Sequence, residues 1–462
     1  MNWHHFSPRA GFTYELNRKT VVLGGASWYW LDTGSFEYGV NKVAVNYGNL
    51  LDGAFNRNST GTTAPGFGSW DGNILPEPGA VPFSPTIGNA VGVNAFSPND
   101  GIAPYDIVWS IGIQRELPYN MLLSAHYTGN RGDFLPSQLN PINQLNQSYL
   151  PLGTTLGAQV GSPAANAAGI GSPYPSFLAN YGSSATVLQA LRPYPQFSSI
   201  MNNFDNSGSS FYNAMQLVLE KRYSTGLSFL VSYNLSRMMS NTNSGFTSFA
   251  NVSLNKNNQA AEWSVDNNDQ TNMISIAGTY ELPIGKGKRF LNNRGLASNV
   301  LGGWQISPIL TYQSGTPIWN GTGGSVTVPG DPLGNGCAPC NRADIVPGTQ
   351  EMLSYSNVYK GLPVINAAAF TNPGLWTLGT APRVLGALRN PWGLNENVSM
   401  SKRFHIGERV SAELRMSYFN LLNRVVFGSP NDLVLTDPNF GLVVNNQANT
   451  QRQGQAQFQV NF

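Results

Sequence analysis

The sequence predicts an all-β fold: an antiparallel transmembrane β-barrel wall of about eleven strands. Three observations predict it. Segments of strand length alternate apolar and polar residues, and only 11% of the 462 residues are charged, against roughly 25% in ordinary globular chains. The connections between these segments alternate between short and long along the whole chain. Aromatic residues reach 11%, with 50 Gly and 30 Pro, a composition suited to short strands joined by polar loops.

The expected strands are 6–16, 20–31, 106–116, 121–130, 210–223, 226–238, 269–282, 302–314, 394–404, 408–420 and 453–462. The first puts Phe6, Phe12, Tyr14 and Leu16 opposite Ser7, Arg9, Thr13 and Glu15. Neighbouring side chains on a strand point to opposite faces, so this is a strand with one apolar and one wet side. Segment 20–31 alternates less cleanly and ends in Trp28, Tyr29 and Trp30. Segment 106–116 is regular, with Ile107, Trp109, Ile111 and Ile113 opposite Ser110, Gly112, Gln114 and Glu116. Segment 121–130 carries Tyr127, and 210–223 runs from Phe211 and Tyr212 to Tyr223. In 226–238, Leu227, Phe229, Val231, Tyr233 and Leu235 oppose Ser228, Ser232, Asn234 and Ser236. Then come 269–282 with Tyr280, 302–314 with Trp304 and Tyr312, 394–404 ending in Phe404, and 408–420 with Tyr418. The last strand ends QFQVNF, with Phe458, Val460 and Phe462 on one face.

Short connections fall at Asn17–Lys19, Leu117–Asn120, Ser224–Thr225, the longer Pro283–Leu301, and His405–Gly407. Long ones fall at 32–105, 131–209, 239–268, 315–393 and 421–452. Outer-membrane barrels have short periplasmic turns and long extracellular loops. A final strand that descends to Phe462 would place every long connection outside the cell. Trp28, Tyr29, Trp30, Tyr127, Phe211, Tyr212, Tyr312 and Tyr418 then form an outer aromatic girdle. Tyr14, Tyr223, Tyr280, Trp304, Phe404 and Phe462 form an inner one, at the headgroup levels that amphipathic rings prefer. The long loops, rich in Gly, Ser, Asn and Pro as in Gly161–Pro175 and Gly321–Pro339, are expected to have no domain structure.

Composition also excludes some functions. A net charge of +2 gives no basic face for nucleic acid. No run of about 18 apolar residues is present to cross a bilayer as a helix. No secretory signal follows Met1, so the chain is expected to be a fragment, a truncated gene or the product of a misplaced start. Gly285–Lys288 (GKGK) lacks the spacing of a phosphate loop, and Ser253–Lys256 (SLNK) lacks the companion motifs of a lactamase. Lys402, Arg403, Glu408 and Arg409 read as charges near the periplasmic rim. No catalytic constellation, cofactor site or metal site emerges.

Several blocks together resemble the Oar-like TonB-dependent transporter family. They are Trp109–Asn130 (WSIGIQRELPYNMLLSAHYTGN) running on into Arg131–Gly132, Tyr212–Tyr233 (YNAMQLVLEKRYSTGLSFLVSY), Tyr280–Phe290 (YELPIGKGKRF), Leu301–Pro317 (LGGWQISPILTYQSGTP) and Asn397–Pro430. The resemblance covers essentially the whole chain. It implies the second half of a barrel of twenty-two strands, one partial barrel domain over 1–462, with plug, regulatory domain and TonB box absent. An isolated set of eleven strands is expected to form a half-open sheet or a strained small barrel. The polar faces, including Gln114, Gln216, Glu220, Ser232, Gln305, Gln313, Glu413 and Arg415, are expected to line a passage for a bulky, unknown substrate. Loop aromatics Trp70, Tyr174, Tyr181, Trp319 and Trp376 either stack on sugar rings or pin loops together.

Phe458, Val460 and Phe462 resemble the C-terminal signal read by the barrel-assembly machinery. Expected partners are that machinery, outer-membrane lipid and, only through a missing N-terminal half, the TonB complex. Cys337 and Cys340 (CAPC) fit a small loop-closing disulfide better than a redox pair or a zinc site. His4, His5, His126 and His405 lie in other segments, which leaves zinc short of ligands. Two alternatives to transport remain: a structural or adhesion protein of the outer membrane, and a non-functional fragment.

Overall fold

The computed structural model describes residues 6–30, 92–95, 102–202, 205–242, 253–292, 295–319, 323–336, 341–406, 410–444 and 447–462. All eleven expected strands form, with ends moved by a few residues. They are β1 (Arg9–Asn17), β2 (Thr20–Trp30), β3 (Tyr105–Leu117), β4 (Met121–Leu135), β5 (Gly208–Ser224) and β6 (Leu227–Ser240). The rest are β7 (Asn272–Glu281), β8 (Trp304–Gln313), β9 (Gly393–Ile406), β10 (Val410–Phe419) and β11 (Gln453–Asn461). Each pairs with the next in sequence, and a two-residue strand, Ser264–Val265, adds a twelfth member beside β6.

Every pairing in this sheet is antiparallel. Sequential antiparallel order puts consecutive connections at opposite ends of the sheet. The strand ends joined by the short connections 18–19, 118–120, 225–226, 282–303 and 407–409 lie at one rim. The strand ends joined by the long connections 31–104, 136–207, 241–271, 314–392 and 420–452 lie at the other. At 225–226 the strands close directly, Ser224 opposite Leu227, with Thr225 at φ 52° and Gly226 at φ 82°. Two left-handed residues in a two-residue hairpin match the twist of the flanking strands, and glycine takes the second position at no steric cost.

Register shows how the alternation sorts the faces. One row across the sheet reads Gln114, Ser124, Val218, Ser232, Ser275, Thr311 and Asn395. The adjacent row, on the opposite face, reads Ile113, Ala125, Leu217, Tyr233, Ile274, Tyr312 and Leu394. A slip of one residue would exchange the two faces, so a consistent parity over eleven strands fixes the register. Two glycines admit large neighbours: a Cβ at Gly129 would lie 2.3 Å from the Trp109 indole, and one at Gly112 2.1 Å from His126 Nδ1.

The sheet does not close on itself among the described residues. β1 and β11 each have one partner strand and are exposed along their whole length. This is the half-open form expected of eleven strands.

The long connections overturn one expectation: the described residues of four of them are folded. Segments 314–392 and 420–452 build a core of Ile318, Val326, Val328, Val364, Ile365, Phe370, Leu385, Leu388, Leu433 and Phe440. Segment 136–207 builds a second core around Leu145, Leu156, Val160, Phe177 and Val187, completed by Leu333 from 314–392. Pairs of two-residue strands, Thr327–Val328 with Asn341–Arg342 and Asp344–Ile345 with Phe370–Thr371, stitch the first of these. Low charge in these loops reflects burial, not lack of structure.

Candidate functional site

The long-loop rim carries a cap, built from short elements whose ends are capped locally. In segment 136–207, Asn146, Ser162 and Thr186 side chains accept from the amides of Ser148, Ala165 and Gln189 and start three helical turns. Such caps satisfy amides that have no partner within a helix. The helices of this segment are three to eleven residues long, so Phe177 and Leu156, both fully buried, supply what helix length cannot.

A buried ionic knot ties the cap to the sheet. Glu262 and Arg342, each about 2% exposed, form an ion pair between segments 241–271 and 314–392. Arg383 donates to the Glu262 carbonyl at 3.1 Å and to the Ser240 carbonyl at 2.8 Å, at the end of β6. Ser240 donates to Asp266 at 2.6 Å, and Asp269 accepts from the Met238 amide at 2.7 Å and from Arg389 at 2.6 Å. Burial pulls the Arg383 guanidinium down to about 10, against the opposing pull of Asp266 and Glu262, so it stays charged at neutral pH. Dry charges are tolerated only when paired and hydrogen-bonded.

Between segments 136–207 and 314–392 lies a cavity of about 180 Å³, walled chiefly by the amides Gln138, Asn140, Asn143, Gln144 and Asn335. Most of these amides are committed to the wall. Asn143 donates to the carbonyls of Tyr194 and Phe197, at 3.0 Å each, and Gln144 donates to Asn335 at 2.7 Å. Asn140 is held by Asp205, at 2.8 and 3.1 Å.

The sheet's polar face gathers every residue expected to line a passage. By register Gln114, Gln216, Glu220, Ser232, Gln305, Gln313, Glu413 and Arg415 all lie on it. Hydroxyls and amides there bond to one another, as in Ser399 with Ser417 at 2.9 Å and Gln305 with Ser307 at 3.5 Å. Glu413 is bracketed by Arg403 at 3.1 Å and Arg415 at 2.8 Å. Phe458 and Val460 fall on the opposite face, beside Leu414 and Ala412, and Phe462 is exposed beyond the strand.

Over residues 1–455 the chain matches the family model described as outer membrane beta barrel domain. It belongs to that family. In structure this barrel domain is similar to the outer membrane transporter YddB from Escherichia coli, with TM-score 0.43, 9% identity, and 98% of this chain against 40% of that one covered. It is also similar to BauA, the ferric preacinetobactin receptor from Acinetobacter baumannii, with TM-score 0.39, 7% identity and coverage of 98% and 36%. A third is the ferripyoverdine receptor of Pseudomonas aeruginosa, with TM-score 0.36, 9% identity and coverage of 98% and 32%. The barrel domain thus spans less than half the length of each of these structures. Comparison with curated proteins finds no match.

In an outer-membrane barrel domain the apolar face meets lipid. Toward its long-loop end Trp28 stacks on Trp30 at 5.8 Å, Tyr105 packs against both at 4.8 and 5.2 Å, and Trp109 meets Phe211 at 6.1 Å. Tyr29 and Tyr212, expected in the outer girdle, lie on the polar face, because neighbours along a strand cannot share a side. The Arg9 guanidinium covers Tyr29 at 4.5 Å. At the other rim Tyr223 also departs from the girdle and donates to Glu281 at 2.7 Å.

The loop aromatics hold the cap together. Tyr174 belongs to the second core, with Tyr181 and Trp376 packed against it, and Trp319 is half-buried. Trp70, Cys337, Cys340, Glu408 and Arg409 lie outside the described residues. Lys402 does not stand free at the rim but donates to the carbonyls of Asn299 and Val300. Lys288 of GKGK pairs with Glu281 at 2.8 Å, and Leu254 of SLNK donates its amide to Glu262 at 3.0 Å. Sequence reasoning missed Glu262, Arg342, Arg383 and Arg389. Their one signal is scarcity: in a chain with 11% charged residues, charges inside Gly- and Asn-rich loops are candidates for paired burial.

Proposed function

We propose that this barrel domain is half of the wall, and the ligand-receiving cap, of an Oar-like TonB-dependent transporter that takes up or passes a bulky substrate. The observation that carries the reading is the constant parity of the sheet. One face is predominantly apolar from β1 to β11, and the other is rich in Ser, Thr, Asn and Gln. A spanning sheet must satisfy all its backbone groups, so the free edges of β1 and β11 call for further strands. Eleven more, the first and last of them rising, would join both edges antiparallel and give twenty-two. The long loops face outward in this reading, and the cap makes the first contact with substrate. Phe458, Val460 and Phe462 serve assembly, and energy arrives through an N-terminal plug that engages TonB.

The test compares neighbouring cysteines on β5, Gln216→Cys and Leu217→Cys, with small water-soluble and lipid-soluble thiol reagents in outer membranes. Gln216→Cys should react with the water-soluble reagent, at a rate that falls when the inner-membrane energy supply is collapsed. Leu217→Cys should react only with the lipid-soluble one. Equal reaction of both positions with the water-soluble reagent would remove the passage.

A further inference from the structure

The apolar face carries few charges, and their exposure is one-sided. Among the described strand residues on that face, the charged ones are Arg115, Arg131, Asp133, Lys221, Arg237, Glu396 and Lys402. Only the three arginines are exposed. Arg131 and Arg237 stand at the long-loop end. Arg131 shares a row with Trp28, and Arg237 shares one with Trp109. Arg424, from the loop after β10, joins them over the same end of β9 by pairing with Glu396.

The ion pairs at this end are built with the carboxylate behind and the guanidinium in front. Arg131 binds Asp133 at 2.8 Å, with 60% of the arginine side chain exposed and 14% of the aspartate. Arg424 binds Glu396 at 3.3 Å, with exposures of 48% and 3%. Asp133 also accepts from Tyr105 at 3.2 Å, which occupies it further. Arg237 makes no ion pair among the described residues.

We propose that Arg131, Arg237 and Arg424 form a binding surface for the phosphates of an anionic glycolipid in the outer leaflet. This rests on the orientation given under Proposed function. The guanidinium fork matches phosphate geometry, and its position among girdle indoles puts it at headgroup depth. A protein surface facing hydrocarbon and neutral headgroups has no use for exposed cations, since a charge against lipid is costly. Anionic headgroups remove that cost.

The experiment uses the full chain in nanodiscs containing either bisphosphorylated lipid A or its dephosphorylated counterpart, with retained lipid counted by native mass spectrometry. At roughly fivefold per arginine beside an anionic surface, three should favour the phosphorylated lipid on the order of a hundredfold at low salt. Arg131→Gln with Arg237→Gln should remove most of that preference. Arg424→Gln is combined with Glu396→Gln so that no carboxylate is left buried alone, and should remove the rest. Arg115→Gln, at the opposite rim, should change nothing. Equal retention of the two lipids by the unsubstituted chain, which needs no variant to fold, would overturn the proposal. So would displacement of lipid by millimolar inorganic phosphate, which would mark a site for a soluble ion. Failure of the Gln216 and Leu217 labelling pattern, with lipid preference intact, would instead strike at the passage.

Discussion

Along β3, Ile107, Trp109, Ile111 and Ile113 face one side and Ser110, Gly112 and Gln114 the other, and most of the ten further strands alternate in the same way. In segment 136–207 the helices run three to eleven residues, and the residues that meet in its core, such as Leu145, Phe177 and Leu333, are far apart in sequence. The sheet buries little of either face, with only Ala214 and Ala412 of its strands among the buried apolar residues, whereas the cap holds two closed cores and paired interior charges. The difference teaches that one chain answers to two solvents. The wall needs each strand to be sorted between lipid and water, a local property with period two. The cap behaves as a soluble domain, and its stability comes from long-range packing.

The largest expected effect separates the two regions. Arg342→Ala leaves Glu262 buried without its partner, which costs about 3–5 kcal/mol when a dry ion pair is halved. Hydrogen exchange should rise throughout segments 253–271 and 314–392 while β4, β5 and β6 keep their protection. Glu262→Leu with Arg342→Met should recover much of the loss. Uniform loss of protection in cap and sheet would show that they unfold together.

Next in size is a contrast within the wall. Leu217→Arg puts a charge on the lipid face, for which roughly 2–4 kcal/mol is expected near mid-span. Gln216→Arg, one residue away on the polar face, should cost far less. The yield of heat-modifiable protein in outer membranes reads both, and equal yields would deny the sorting of the faces.

Smallest is Glu351→Gln in the cap. Burial raises the Glu351 carboxyl, and its Oε2 has no hydrogen-bond partner. A raised carboxyl favours the fold in its protonated form. That contribution is complete below the ordinary value of 4.5 and is lost as pH rises through the raised one. The substitution should therefore stabilise the cap near neutrality, within about 0.5 kcal/mol. The gain should vanish at about pH 4, as read by thermal unfolding at the two pH values. A loss at neutral pH would show that the carboxylate is paired.

The same contrast explains what could be read from the sequence. The eleven strands and the shared face of Gln114, Gln216, Gln305 and Arg415 follow from alternation together with the rhythm of short and long connections, which carries segments such as β2 where alternation is weak. Tyr29 and Tyr212 were misplaced where clustering at strand ends was preferred to that alternation. The cap stayed hidden because a 3₁₀ turn at Gln147–Gly157 or a two-residue strand at Thr327–Val328 leaves no period to detect. The pairing of Glu262 with Arg342 spans 80 residues, a distance over which no local pattern operates.

The most direct test of an outer-membrane wall with its cap outside the cell is single-cysteine labelling of intact cells, with Cys337 and Cys340 replaced by Ser. Ser183→Cys and Tyr359→Cys report the cap, and Arg18→Cys and Tyr119→Cys report the short-turn rim, where Tyr119 is 82% exposed. A membrane-impermeant maleimide should label the cap positions on intact cells and the turn positions only after the outer membrane is opened. Labelling of Arg18→Cys and Tyr119→Cys on intact cells, with the cap silent, would contradict it.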